Sequence, residues 1–161
     1  MSFNNINTKL RQERGFTIVE LLIVIVVIGI LAAITIVSFN GVTARANTTN
    51  AQSAAEAAIK KAEAYNAETG AYPTTPAALT GAAATTTYQL TGVTFLTGTT
   101  GTAPAATAPA NATTIAFFNC GAGNGARFDY WKFDGTTGWQ QNYTGGANAT
   151  NCPATKFVTG P

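Results

Sequence analysis

The sequence has no histidine, few charged residues and only two cysteines. Charged side chains make up 10% of the 161 residues, and the net charge is +2. Without histidine the chain lacks the usual general base, the commonest metal ligand and the simple pH switch near neutrality. No serine or threonine has an evident base partner either. We therefore expect no enzyme, no cofactor and no metal site.

The few charges are unevenly distributed. Lys9, Arg11 and Arg14 lie in the first fifteen residues, against Glu13 alone. The rest of the chain carries six basic and six acidic side chains. Such a balance argues against nucleic acid as a bulk electrostatic partner, although it leaves a small basic patch open.

A long uncharged apolar segment follows the basic start. The 24 residues from Leu21 to Ala44 carry no charge, and about 20 residues suffice to cross a bilayer. The basic residues before it predict a cytoplasmic amino end and an exported remainder. Two alternatives could explain the apolar segment. It could belong to an ordinary secretory signal that is cut near Ala44-Arg45-Ala46, or it could be a simple single-pass anchor. Neither explains a glutamate, Glu20, at the start of the apolar segment.

The helical pattern continues beyond this segment. Gly70 and Pro73 then supply stop signals, so the predicted helix runs from Phe16 to about Glu68. Its first half is apolar on all sides and its second half is amphipathic. The apolar positions of the second half recur at helical spacing: Ala51, Ala54, Ala55, Ala58, Ile59, Ala62 and Tyr65.

The remaining residues favour short strands. We predict strands at residues 88–90, 93–95 and 115–118, and a hairpin from Phe128 to Tyr143. Residues 97–114 are rich in Thr, Ala, Pro and Gly, which favours a loop. The fold class is therefore α+β, with an antiparallel sheet packed on the amphipathic half of the long helix.

Cys120 and Cys152 lack the spacing of a CxxC motif. In an oxidising compartment they are expected to form a disulfide, and two buried free thiols are the alternative.

Other features have simple explanations. Asp129 and Asp134 are the only acidic residues after Glu68, so two solvated hairpin charges are favoured over a calcium site. The aromatic residues of the hairpin are expected to form core, rather than to stack on nucleic-acid bases with Arg127. Four Asn-x-Thr sequences match a glycosylation pattern, but Asn and Thr are frequent enough for chance matches.

The segment Arg14-Gly15-Phe16-Thr17-Ile18-Val19-Glu20, followed by an apolar run, resembles the class III signal of type IV pilins and type II secretion pseudopilins. The resemblance covers residues 9–73. It implies that a prepilin peptidase cleaves after Gly15 and methylates the new amino-terminal Phe16. It also implies that Glu20 is the assembly glutamate. Val37 departs from the family, because many major pilins carry a helix-breaking proline there.

The resemblance implies a pilin-like organisation of the chain. Residues 1–15 would be a cleaved leader, 16–44 a transmembrane and filament-core helix, 45–69 its amphipathic continuation, and 70–161 a β-rich head with the disulfide region. The precursor would be a single-pass membrane protein, and the product a bacterial surface filament.

The function implied is that of a structural subunit of a type IV pilus, a homo-oligomeric helical filament. Its partners would be the prepilin peptidase, the bilayer before assembly, and the assembly platform with its ATPase. The alternatives are a pseudopilin of a type II secretion system and a minor pilin with an adhesive or DNA-binding face. Adhesion, motility and DNA uptake all reuse the same helix.

Overall fold

A computed structural model describes residues 15–81, 84–96, 101–121, 124–134, 138–153, 157–158 and 160. The chain divides into two compact units, Met1–Phe39 and Asn40–Pro161. The described residues form these elements: helix α1 (Ile18–Thr69), helix α2 (Ala77–Thr80), and strands β1 (Thr94–Phe95), β2 (Thr114–Asn119), β3 (Gly125–Lys132), β4 (Gly138–Gly145) and β5 (Phe157–Val158).

In the first unit the described structure is the amino-terminal part of α1. It contains no proline, and its single glycine is Gly29. The helix continues without a break through Val37, the position that departs from the family pattern. The predicted start at Phe16 is two residues earlier than the observed start.

In the second unit α1 presents a face of small side chains to a core. The buried residues recur at helical spacing and are Ala51, Ala54, Ala55, Ala58 and Ala62. Alanine combines high helix propensity with a short side chain, so the helix backbone can lie close to the sheet residues of the same core. The helix ends at Gly70, whose φ of 79° is left-handed. The Gly70 N–H donates to the Asn66 carbonyl at 2.8 Å, as in a glycine-terminated helix.

The five strands form one sheet in the order β1-β2-β3-β4, and β5 pairs with β2. β2, β3 and β4 are antiparallel neighbours, and β5 is antiparallel to β2. β1 pairs in parallel with β2, so the sheet is mixed rather than purely antiparallel as expected. The arrangement is an α+β, pilin-like fold. The predicted hairpin from Phe128 to Tyr143 lies within β3 and β4.

The central strands of the sheet, β2 and β3, are buried on both faces. On the helix side, Ile115, Phe117 and Phe128 pack with the alanines of α1. On the far side, Phe118 and Phe157 pack with the two cysteines. β2 is therefore buried at five consecutive positions, as is typical of a strand that is covered on both faces.

One sequence expectation about a strand differs from the structure. Residues 88–90 are not a strand: Tyr88 ends a turn of residues 86–88, in which the Gln89 N–H donates to the Thr85 carbonyl at 2.8 Å, and Gln89 and Leu90 have no regular secondary structure. Tyr88 and Leu90 are nonetheless buried in the core on the helix side of the sheet. The predicted loop at 97–114 is confirmed for residues 101–113, β2 begins at Thr114, and residues 97–100 lie outside the described part.

Candidate functional site

The Gly15–Phe16 peptide bond lies before the first helical residue, Ile18. The Phe16 side chain is 79% exposed. Among the described residues other than Gly15 and its chain neighbour, no atom lies within 4 Å of the position that a Cβ on Gly15 would occupy. The predicted cleavage site is therefore non-helical and accessible in the isolated chain.

Glu20 is held at the helix start by Thr17. The Thr17 backbone N–H and hydroxyl donate to Glu20 Oε2 at 2.9 and 2.7 Å. In return the Glu20 backbone N–H donates to Thr17 Oγ1 at 3.2 Å. This is a capping box, which satisfies backbone donors that have no partner within the helix. Sequence reasoning missed Thr17, although the Thr-x-x-Glu spacing before an apolar run was a sufficient signal.

The amino-terminal part of α1 exposes a continuous apolar surface. Every Phe, Leu, Ile and Val from Phe16 to Val42 is at least 48% exposed in the single chain. Soluble monomers rarely expose contiguous apolar surface of this extent, and such surfaces mark contacts with a membrane or with other proteins. Among the described residues, α1 contains the one stretch long and apolar enough to cross a membrane.

Glu20 is the acidic residue of the first turn of α1. An acidic group in a membrane span is costly and is normally paired. Within the isolated chain its described partners are the Thr17 donors, which supply hydrogen bonds but no charge.

The structure joins Cys120 and Cys152 in a disulfide on the far face of the sheet. Beside it lies a buried ion pair that the sequence did not indicate. Arg127 Nε and Nη2 donate to the two carboxylate oxygens of Asp129 at 2.9 and 2.7 Å. Arg127 Nη1 donates to the Cys152 carbonyl at 2.7 Å.

The expectation that Asp129 is a solvated hairpin charge is wrong. Asp129 is 1% exposed, because its side chain points to the covered far face. Burial raises its pKa to about 6, although the hydrogen bonds and charge of Arg127 act in the opposite direction. The Asp134 side chain is partly exposed, and its Oδ1 lies 3.6 Å from Nζ of Lys132. No group of three or more potential metal ligands occurs among the described residues.

A cavity of about 330 Å³ lies beside Trp139 and Phe157. None of its described lining residues is charged, and the Trp139 indole N–H is already bonded to the Ala105 carbonyl at 2.9 Å. The described part of the lining therefore contains no acid, base or nucleophile pair of the kind that catalysis requires.

Comparisons with known proteins find a family motif near the amino terminus and several similar proteins. Residues 10–36 match the prokaryotic N-terminal methylation motif. The chain is 40% identical over 70 residues to the type IV wide pilus major component PilA4 of Thermus thermophilus, which covers 44% of this chain and 53% of that protein. It is 44% identical over 54 residues to two fimbrial proteins of Pseudomonas aeruginosa, which covers 34% of this chain and 35% of each relative. No solved structure matches.

The chain thus spans about half the length of one relative and about a third of the others. The methylation motif, these similarities and the α+β fold support a type IV pilin-like protein with a class III signal. The relatives are a pilus major component and fimbrial proteins by name, and the chain shares with the methylation motif an apolar amino-terminal helix.

Proposed function

We propose that this chain is a structural subunit of a type IV pilus and polymerises through the amino-terminal part of α1. Before assembly the segment 16–44 anchors the subunit in the bilayer. In the filament the same segment packs against copies of itself, while residues 70–161 form a β-rich head joined to it by residues 45–69. The filament is a homo-oligomer at the bacterial surface.

The observation that carries this proposal is the exposed apolar surface from Phe16 to Val42. Burial of apolar surface contributes about 25 cal/mol per Å², so a surface of this extent strongly favours association wherever it would otherwise contact water. Within lipid the hydrophobic contribution is smaller, and close packing between helices stabilises the association instead. Both environments favour a partner helix of the same character.

Glu20 gives this apolar packing a fixed position along the filament. Cleavage after Gly15 creates a new amine at Phe16, four residues before Glu20. An amine of one subunit and the carboxylate of another attract strongly in a medium of low dielectric constant. Because desolvation cancels much of this gain, the pair sets the register of neighbouring subunits more than it adds strength.

Processing of the leader is the step that prepares the subunit. A prepilin peptidase removes residues 1–15 and methylates the amine of Phe16, and an assembly platform with its ATPase then extracts the subunit. The accessible position of the Gly15–Phe16 bond before the helix supports this route. The protein has a structural and not a catalytic role.

The experiment is mass spectrometry of the native protein, combined with analysis of fibres sheared from cells. We expect a mature chain that begins at N-methylated Phe16, and fibres in which it is the main component. A chain that retains residues 1–15, or that begins near Asn47, would contradict the processing step. Processed chain that is absent from abundant surface fibres would indicate a secretion pseudopilin, and a minor share of the fibres would indicate a minor pilin.

A further inference from the structure

The buried guanidinium of Arg127 connects the two halves of the disulfide region. Its Nη1 donates to the Cys152 carbonyl at 2.7 Å. Its central carbon lies 3.6 Å from the ring centre of Phe118. Phe118 belongs to β2 and stands two positions before Cys120, which follows directly after that strand. Arg127 therefore contacts the strand that leads to one cysteine and the backbone of the other.

Asp129 fixes the guanidinium in this position. The carboxylate accepts from Nε and Nη2 at 2.9 and 2.7 Å, and both side chains are almost fully buried. This bidentate pairing leaves Nη1 free to point at Cys152, as the planar fork of arginine permits. A lysine carries its three donors on a single nitrogen, so it could not reproduce the bidentate pairing with Asp129 in which two separate nitrogens take part.

The segment that carries Cys152 also has local structure of its own. Asn148 Oδ1 accepts from the backbone N–H groups of Thr150 and Asn151 at 2.9 and 3.1 Å. The Cys152 N–H donates to the Asn148 carbonyl at 2.9 Å. Side-chain turns of this kind order a short segment without a covalent link. Residues 148–152 thus form a turn. The hydrogen bond from Arg127 to the Cys152 carbonyl attaches this turn to the sheet.

We propose that Arg127 is a positioning residue for disulfide formation, which docks the turn 148–152 so that the Cys152 thiol meets the Cys120 thiol in an already folded head. With a small disulfide such as oxidised glutathione as oxidant, one cysteine thiolate attacks the oxidant and releases one glutathione thiol. The second cysteine then displaces the other glutathione from the mixed disulfide. The two cysteines lose two electrons and two protons, and oxidised glutathione becomes two molecules of glutathione. This proposal does not depend on filament assembly.

The test measures the effective concentration of the two thiols in the full chain, held in detergent micelles and equilibrated with glutathione buffers at pH 8. The double variant Arg127→Met, Asp129→Leu removes the docking contact and leaves no unpaired buried charge. We expect its effective concentration to fall about tenfold, because a buried hydrogen bond from a charged group is lost. The control is the double variant Lys132→Met, Asp134→Leu, which removes the partly exposed ion pair near the end of β3 and leaves Arg127 and Asp129 in place, so its effective concentration should stay within about threefold of the wild type. A wild-type effective concentration in the double variant would overturn the proposal.

A second measurement leaves Arg127 intact in case the double variant does not fold. In the Cys120→Ser, Cys152→Ser chain, hydrogen exchange should show that the backbone N–H of residue 152 remains protected, because the turn docks on the sheet before the disulfide forms. Exchange of this N–H at the rate of an unstructured peptide, while the N–H groups of β2 and β3 stay protected, would show that the disulfide creates the docked turn. That result would also overturn the proposal.

Discussion

The backbone N–H and the hydroxyl of Thr17 both donate to the same carboxylate oxygen of Glu20, at 2.9 and 2.7 Å. In the isolated chain the glutamate is thus the acceptor of a helix cap. For assembly we propose that it also attracts an amine of another subunit. The cap needs only an oxygen acceptor, whereas attraction of an amine needs a negative charge. These two roles can be separated by substitution.

Glu20→Gln keeps an oxygen that can accept from Thr17, since glutamine also serves in capping boxes, but it removes the charge. We expect membrane insertion to be unchanged and the yield of sheared fibres to fall roughly tenfold or more, because the attraction of the amine is lost. Thr17→Val is the matched control, because it removes the hydroxyl cap and retains the charge. Its fibre yield should stay within about twofold of the wild type. Normal fibres from Glu20→Gln would refute the charge-pairing role.

The long helix and the β3–β4 hairpin could be predicted because their signals are local. The alanine spacing from Ala51 to Ala62 marks the buried face of α1, and Gly70 marks its end. The alternating pattern of Tyr88 and Leu90 predicts a strand, but an irregular segment whose two side chains reach the same core has the same pattern. Local pattern cannot distinguish these cases.

The ion pair of Arg127 and Asp129 could not be predicted for a different reason. The two residues are two apart on one strand and so share a face, but that face is covered by segments distant in sequence, which include Cys152. Whether a charged residue near a hairpin is buried depends on what packs over it. The parallel pairing of β1 with β2 is likewise a long-range contact that no local signal specifies.

The packing of α1 on the sheet predicts that Ala58 tolerates no larger side chain. Ala58 is 0% exposed and belongs to the core that contains Phe117 and Phe128. Ala58→Leu should lower the free energy of unfolding by roughly 2 kcal/mol, because the added methylenes overpack a filled interior. Ala67→Leu on the exposed part of the same helix is the control and should change it by less than about 0.5 kcal/mol. Chemical denaturation of the full chain in micelles measures both, and equal effects of the two variants would contradict the packing.

The start of β3 predicts a strict requirement for glycine at position 125. Gly125 has a φ of 135°, and a Cβ there would collide with the Thr144 carbonyl and lie 2.9 Å from the Ala147 nitrogen. Gly125→Ala should therefore destabilise the head by about 3 kcal/mol, from backbone strain and steric overlap together. Gly92 has a φ of 74° but open space around it, so Gly92→Ala should cost only about 1 kcal/mol. Thermal unfolding followed by circular dichroism compares the two, and a Gly125→Ala chain as stable as Gly92→Ala would contradict the steric argument.

The buried carboxylate of Asp129 predicts a pH dependence of stability. Burial raises its folded-state pKa from 3.8 to about 6, with Arg127 opposing the shift. Between these two pH values the folded chain holds a proton that the unfolded chain has released. The contribution of this group to stability is therefore fully present below pH 3.8, falls as the pH rises through 6, and is constant above that.

On acidification from pH 7 to pH 5, we expect the Asp129 carboxyl to add about 1 kcal/mol to the free energy of unfolding. Asp129→Asn does not titrate at this position and therefore lacks this increment. Denaturation curves of the wild type and the variant at both pH values give, for each chain, the change in the free energy of unfolding between pH 7 and pH 5. The difference between these two changes isolates Asp129, because the contributions of the other titrating groups cancel. A difference of zero would place the folded-state pKa of Asp129 near its ordinary value. A difference of opposite sign would mean that the attraction of Arg127 outweighs the cost of burying the carboxylate.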